Sequence, residues 1–198
     1  MNERIMVVKA SLLEELGSFQ GLMFDIEKYL NRINLDYFYV DRQEAETNFS
    51  YKQIIPYVLL NYRDKFLCYL RGELTNEGRL KGNYSLGIGG HVNDKDENLF
   101  ESSIDAAKKR ELSEEISIKT KYTDHTIALI NDDSNPVGRV HLGIISVLKL
   151  NEKKVLKKEK SINKINFISI EEMKTNIDKY ESWSKIIIKD IGKISDYL

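Results

Sequence analysis

Strand-length apolar runs recur along the chain, and helical spacing breaks in at only a few places. Near the N-terminus, "RIMVVKA" (4–10) reads as a short strand and "SLLEELGSFQG" (11–21) as a short helix or turn. "GLMFDIEKYLNRI" (21–33) carries apolar residues at helical spacing, and "DYFYVDRQEAE" (36–46) reads as a strand entering a polar connection. No flexible linker follows. Residues 1–48 are therefore expected to form an N-terminal extension packed on a main domain of residues 49–198, covering part of it or building a homodimer contact.

Strand signals then dominate. "QIIPYVLLNY" (53–62) and "KFLCYLRG" (65–72) flank "RD" and predict a hairpin. "YSLGIGGHV" (84–92) is a short strand interrupted by glycines. "FESSIDAAKKRELSEEI" (100–116) is the best helix, with Ile104, Ala107, Leu112 and Ile116 as a rather loose apolar side. "HTIALIND", "RVHLGIISVLKL" and "INKINFIS" are further strands. "SIEEMKTNIDKYESWSKIIIKDI" (169–191) is helical, with Ser169 at its N-cap. A mixed sheet with one helix in its middle and another at its end predicts an α+β fold, or a three-layer α/β/α sandwich.

Composition narrows the partners. The 198 residues are 41% hydrophobic, enough for a sizeable core. Basic and acidic side chains number 30 and 31, for a net charge of −1. That balance argues against a general nucleic-acid binder but leaves room for a small phosphorylated ligand met by a local cluster. The single cysteine, Cys68, sits in "FLCYL" and reads as a buried thiol. The N-terminus lacks a signal-peptide apolar stretch and no membrane-length apolar run occurs, so a cytoplasmic location and no membrane partner are expected.

The chemistry concentrates in "KKRELSEEIS" (108–117). Glu111 and Glu115 stand four apart and rise from one helix face, with Glu114 beside them. Three carboxylates within little more than a turn repel one another, and Arg110 offsets only part of that. A charge run is usually a solvated face, but a divalent cation such as Mg²⁺ or Mn²⁺ would suit this oxygen-rich set. Upstream, "GIGGHV" (87–92) holds a glycine pair that lets a backbone carbonyl approach an ion or phosphate closely, although a glycine bulge is the commoner meaning.

At this point the chain resembles the Nudix hydrolases. "RELSEEISI" (110–118) matches the R-E-U-x-E-E-x-G-U part of their box, where U is bulky and aliphatic, except that Ser117 stands where glycine is expected. Gly90 and Arg110 are separated by six more positions than in the short box, within "HVNDKDENLF". The first box glutamate is out of register: Ser102 stands eight residues before Arg110, and Glu101 is its neighbour. "YKQIIPYV" (51–58), "GGHVN" (89–93) and "VGRVHLG" (137–143), with "FQG" and "DRQEAE", are similar to bacterial predicted phosphoesterases of the MutT-type Nudix class. The similarity covers nearly the whole chain.

The resemblance implies a Nudix fold and metal-assisted hydrolysis of a phosphoanhydride in a nucleoside diphosphate linked to another moiety. It implies Glu111 and Glu115 as main ligands of Mg²⁺ or Mn²⁺, with Glu114 as a third ligand or orienting a metal water. Arg110 would hold a box glutamate, and the Gly90 carbonyl would be a further ligand. The general base is a box glutamate or a distant one; Glu159 is the candidate outside the box, though a solvated loop residue is its plainer reading. Arg71, Arg79, Lys81 and His91 are candidate substrate contacts, although each of the three cations alone is more often a surface charge. His91 and His141 both have a hydrogen-bonded structural role as their default. The alternative functions are a catalytically inactive Nudix-fold nucleotide-binding or sensor module, and an isoprenoid diphosphate isomerase. The sensor would usually lose box glutamates, and the isomerase would require a suitably placed cysteine.

Overall fold

Ile5, Met6, Val7 and Val8 are buried one after another, so strand β1 (Arg4–Lys9) is covered on both faces. The computed structural model describes residues 3–71, 82–158 and 162–197. The chain divides into two units, Met1–Tyr57 with Gly89–Lys109 and Ile127–Ile145, and Val58–Ile88 with Arg110–Thr126 and Ser146–Leu198.

In the first unit, β1 is followed by α1 (Ser11–Leu16), β2 (Gly21–Met23), α2 (Glu27–Asp36), β3 (Phe38–Asp41) and α3 (Arg42–Thr47). Strand β1 pairs antiparallel with β3, Met6 opposite Tyr39, and with β4 (Tyr51–Tyr62), Val7 opposite Gln53. Where the spacing of 21–33 predicts one helix, Gly21–Met23 is a strand, and only Glu27 onward is helical. The polar "RQEAET" forms α3, capped by Asp41, whose side chain accepts from Gln43 N. Met6, Val8, Tyr29, Ile33, Ile54 and Leu129 lie at the heart of this unit's core.

The second unit contains β5 (Lys65–Arg71), β6 (Tyr84–Ser85) and most of β7 (Gly87–Gly89). The predicted hairpin is present, with Asn61 opposite Phe66 and Arg63 at a φ of 55° in the turn. Helix α4 (Ser103–Glu115), β9 (Tyr122–Asn131) and β10 (His141–Leu150) supply residues to both units. This explains the loose apolar side of α4. Ile104 and Ala107 join the first unit's core, whereas Leu112 joins Val58, Leu67, Ile88, Leu148 and Ile162 in the second. Burying a leucine in this way contributes about 1.5–3 kcal/mol.

Directly after α4 comes β8 (Ile116–Ile118), which pairs with β11 (Val155–Lys157), Ser117 opposite Leu156. Backbone in an extended ladder does not need glycine, which accounts for a serine at the box's glycine position. Short helix α5 (Pro136–Arg139) replaces the start of the strand expected at 139–150; Asn135 caps it and Pro136 occupies its first turn. Strand β12 (Ile162–Ser169) pairs with β5, Phe167 opposite Leu67. Ser169 is the N-cap of α6 (Ile170–Thr175), as predicted, accepting from Glu172 N. The long C-terminal helix is broken, however, into α6, α7 (Ser182–Lys189) and α8 (Ile191–Ser195). The break falls where Tyr180 bridges Tyr84 and the Glu181 carboxylate accepts from Trp183 N and Ser184 N. No helix among the described residues is long and apolar enough to cross a membrane.

Candidate functional site

Two carboxylates of α4 lie against one guanidinium. Arg110 Nη1 donates to Glu111 Oε1 at 2.6 Å and lies 3.7 Å from Glu114 Oε2. Glu111 is the more enclosed, its side chain 17% exposed against 51% for Glu114. Glu115 Oε2 is shut off from solvent. Its charge reaches Tyr69, whose hydroxyl is pushed up to about 12, chiefly by burial, with Arg71 opposing and Glu115 reinforcing the shift. Tyr69 donates to the Gly87 carbonyl at 3.0 Å. Two contacts from the following loop pin the end of the helix: Lys158 N donates to Glu115 O at 2.9 Å and Lys158 Nζ to Ser113 O at 2.5 Å.

Among the described residues, no three His, Cys, Asp or Glu side chains gather around a common point. Glu111 is turned onto Arg110. The donor chemistry, three carboxylates at positions 111, 114 and 115 of one helix, nevertheless fits a hard divalent cation. Glu101 is committed to an ion pair with Lys109 just before α4 begins. Arg71 packs its guanidinium 5.9 Å from the Tyr69 ring centroid. Glu159, Arg79 and Lys81 lie outside the described residues.

Gly89 is required by packing. A Cβ there would run into the Pro56 carbonyl oxygen on β4. Beyond Gly90, the inserted residues are held by their own side chains. Asn93 and Asp96 form a reciprocal capping box, and the Asn98 side chain accepts from Phe100 N and Glu101 N.

In the first unit, stretches 51–57, 89–93 and 137–143 come together. His91 Nε2 lies 2.8 Å from Gln53 Oε1 and 3.4 Å from His141 Nε2, and His141 Nδ1 lies 2.7 Å from Val137 O. Neighbouring Lys52 is 4% exposed, with Nζ donating to Asn131 Oδ1, Asp133 Oδ1 and Gly138 O. Burial lowers the Lys52 pKa, against the pull of Asp133. Burial also pushes the Asp133 carboxyl upward, but hydrogen bonds from Lys52 and Gln20 outweigh it and hold Asp133 below the usual range. Lys52, Gln53 and Asp133 were not visible as site residues in the sequence. Cys68 is buried on β5, and burial pushes its thiol up to about 12, so it supplies no ready acid–base chemistry.

No family model matches the chain. Over 201 residues it is 32% identical to protein YmaB of Bacillus subtilis, an alignment covering 95% of this chain and 97% of that one. Its fold superposes on the crystal structure of Tm1382, a candidate Nudix hydrolase, with a TM-score of 0.80 and 32% identity over 97% of this chain and 99% of the other. The Nudix domain of Shewanella oneidensis NrtR, crystallised with ADP ribose, has a TM-score of 0.55 at 11% identity, covering 86% of this chain and 98% of that domain, and speaks for the fold alone. The carboxylate-bearing end of α4, together with end-to-end likeness at this level of identity, decides the family: the chain belongs to the Nudix hydrolase superfamily.

Proposed function

We propose that the chain is a divalent-cation-dependent pyrophosphohydrolase that splits a phosphoanhydride bond in a nucleoside diphosphate linked to a further group. The observation that carries this reading is the end of α4, where Glu111 and Glu114 flank Arg110 and Glu115 keeps a carboxylate oxygen from solvent. One guanidinium cannot neutralise three carboxylates. Mg²⁺ or Mn²⁺, when bound, would screen the diphosphate charge and lower the pKa of an attacking water.

Glu111 and Glu115 are assigned as the main ligands, Glu114 as a third ligand or a hydrogen-bond acceptor for a water, and the Gly90 carbonyl as a further donor. Arg110 pairs with the Glu111 carboxylate and holds its rotamer for the cation. Arg71, Arg79, Lys81 and His91 are assigned to substrate contacts. The base that takes the proton of the attacking water is a box glutamate or Glu159.

The test is product release across nucleotide sugars, dinucleoside polyphosphates, oxidised nucleoside triphosphates, NAD-type dinucleotides and ADP-ribose, the ligand seen in the NrtR domain. Hydrolysis of at least one class is expected with Mg²⁺ or Mn²⁺, abolished by chelator. Tight binding without turnover across the whole panel would instead identify a binding module.

A further inference from the structure

Three stretches that stand out in the sequence meet in the first unit, and the hydrolase reading uses only part of them. Gln53 is fully buried on β4, beside His91 from "GGHVN" and His141 from "VGRVHLG". The two imidazole rings are tilted by 56°, their centroids 5.5 Å apart and their Nε2 atoms 3.4 Å apart.

Hydrogen-bond chemistry fixes how the hydrogens lie. A carbonyl only accepts, so His141 Nδ1 carries the hydrogen that it donates to Val137 O. In the neutral ring, His141 Nε2 therefore presents a lone pair toward His91. With Gln53 Oε1, which only accepts, facing the ring, His91 Nε2 carries the hydrogen between them. The Gln53 amide nitrogen is buried and has no hydrogen-bond partner among the described residues. Turning the amide over would merely trade an orphan nitrogen for an orphan oxygen. A buried polar group left without a partner destabilises the fold, so packing stability alone does not account for a glutamine here.

We propose that His91, His141 and Gln53 form a binding site for a transition-metal ion of the Zn²⁺, Co²⁺, Ni²⁺ or Cu²⁺ kind. Two nitrogens held at about 2.0–2.1 Å from a tetrahedral ion stand roughly 3.3–3.4 Å apart, which is the spacing of these two Nε2 atoms. Imidazole nitrogen selects such ions over Mg²⁺. The His141 Nδ1–H bond to Val137 is the outer contact that ligating histidines make, and it orients the ring and strengthens Nε2 as a donor. For His91 to bind, its Nε2 gives up the hydrogen that the ion replaces, so metal binding competes with protons. Gln53 Oε1 is the third donor, and water completes the shell. Both histidines are half-buried. This inference does not depend on the hydrolase reading.

The probes are Zn²⁺ and Cu²⁺ added singly to the full chain, freed of any affinity tag. With excess Mg²⁺ present to occupy the carboxylates of α4, calorimetry is expected to show one Zn²⁺ bound, and paramagnetic resonance of the Cu²⁺ form to show coupling to two nitrogens. His91→Ala and His141→Ala should each weaken Zn²⁺ by at least about tenfold and remove coupling to one nitrogen. Glu115→Gln should change neither signal, nor should alanine at His125, the remaining histidine. His141→Gln, with melting followed in chelator, replaces the alanine variant if that one does not fold. Cu²⁺ without nitrogen coupling, Zn²⁺ affinity unchanged in both histidine variants, or affinity lost through Glu115→Gln alone would each overturn the assignment.

Discussion

Arg110 folds back onto Glu111, its own neighbour in sequence, and holds that carboxylate at 2.6 Å. Adjacent helix positions do not face each other, so the contact exists only because the guanidinium is long enough to turn around the helix surface. The same guanidinium stands 3.7 Å from Glu114. Replacing Arg110 with alanine is expected to raise the Mg²⁺ or Mn²⁺ concentration needed for half-maximal turnover, with a smaller change in kcat at saturating cation. Cation titrations of both proteins check this; an unchanged half-point with a collapsed kcat would contradict it.

Glu115→Gln preserves side-chain shape and removes one negative charge from the end of α4. Hydrolysis should fall by a factor of about 100 or more, in line with loss of a metal-held transition state. The thermal transition should move little. Turnover near the wild-type rate, with unaltered metal dependence, would remove Glu115 from the ligand set.

Lys52 and Asp133 form a half-sheltered pair, the lysine side chain 5% exposed and the aspartate 42%. Asp133→Asn leaves the buried ammonium with weaker partners. Because solvent screens the carboxylate side, the expected destabilisation is about 1–2 kcal/mol at neutral pH. Asp133 is held below its ordinary pKa in the folded chain, so its stabilisation is complete above the unfolded value and fades as pH falls through the folded one. The gap between wild type and variant in urea melts should therefore be constant near neutrality and close below about pH 4.

A methyl group on Gly138 would collide with the backbone carbonyl of Asp132. Backbone cannot yield as a flexible side chain does. Gly138→Ala is expected to cost about 1–3 kcal/mol and to disturb the Lys52 bond to the Gly138 carbonyl. Gly192→Ala, where no neighbour lies in reach, is the control and should leave the melting temperature close to that of wild type.

Strand β1 lies between β3 and β4, and Ile5 to Val8 are all buried. A chain beginning at Phe49 should lose this cover from β4 and precipitate or melt well below the full-length protein. A soluble, equally stable shortened chain would show that residues 1–48 are dispensable.

The elements with strong local signals were legible: the hairpin of β4 and β5, helix α4 and the Ser169 cap each follow from nearby residues. The glutamates of the candidate site were legible for the same reason, being four or fewer positions apart on one helix. Lys52 and Gln53 were not. Alternation leads one to expect one of two adjacent strand residues to face solvent, yet both are buried because β4 is covered on both faces. The meeting of Gln53, His91 and His141 depends on strand register, which spacing along the chain does not contain. The helical turn at 136–139 was readable after all, since Asn135 and Pro136 are a capping residue followed by a first-turn proline. The break at Tyr180 depends on a bridge to Tyr84, nearly a hundred residues away.

The pairing of β5 with β12 has a consequence for how the protein is made. Lys65–Arg71 leaves the ribosome some ninety residues ahead of its partner Ile162–Ser169. At about 5–20 residues per second, the outer edge of "FLCYL" waits on the order of 5–20 s before its own chain can cover it. Throughout that interval the nascent polypeptide presents an unpaired apolar strand edge, a template for association with other chains. Shielding during synthesis, together with the late arrival of β12, is thus expected to govern yield more than the stability of the finished fold.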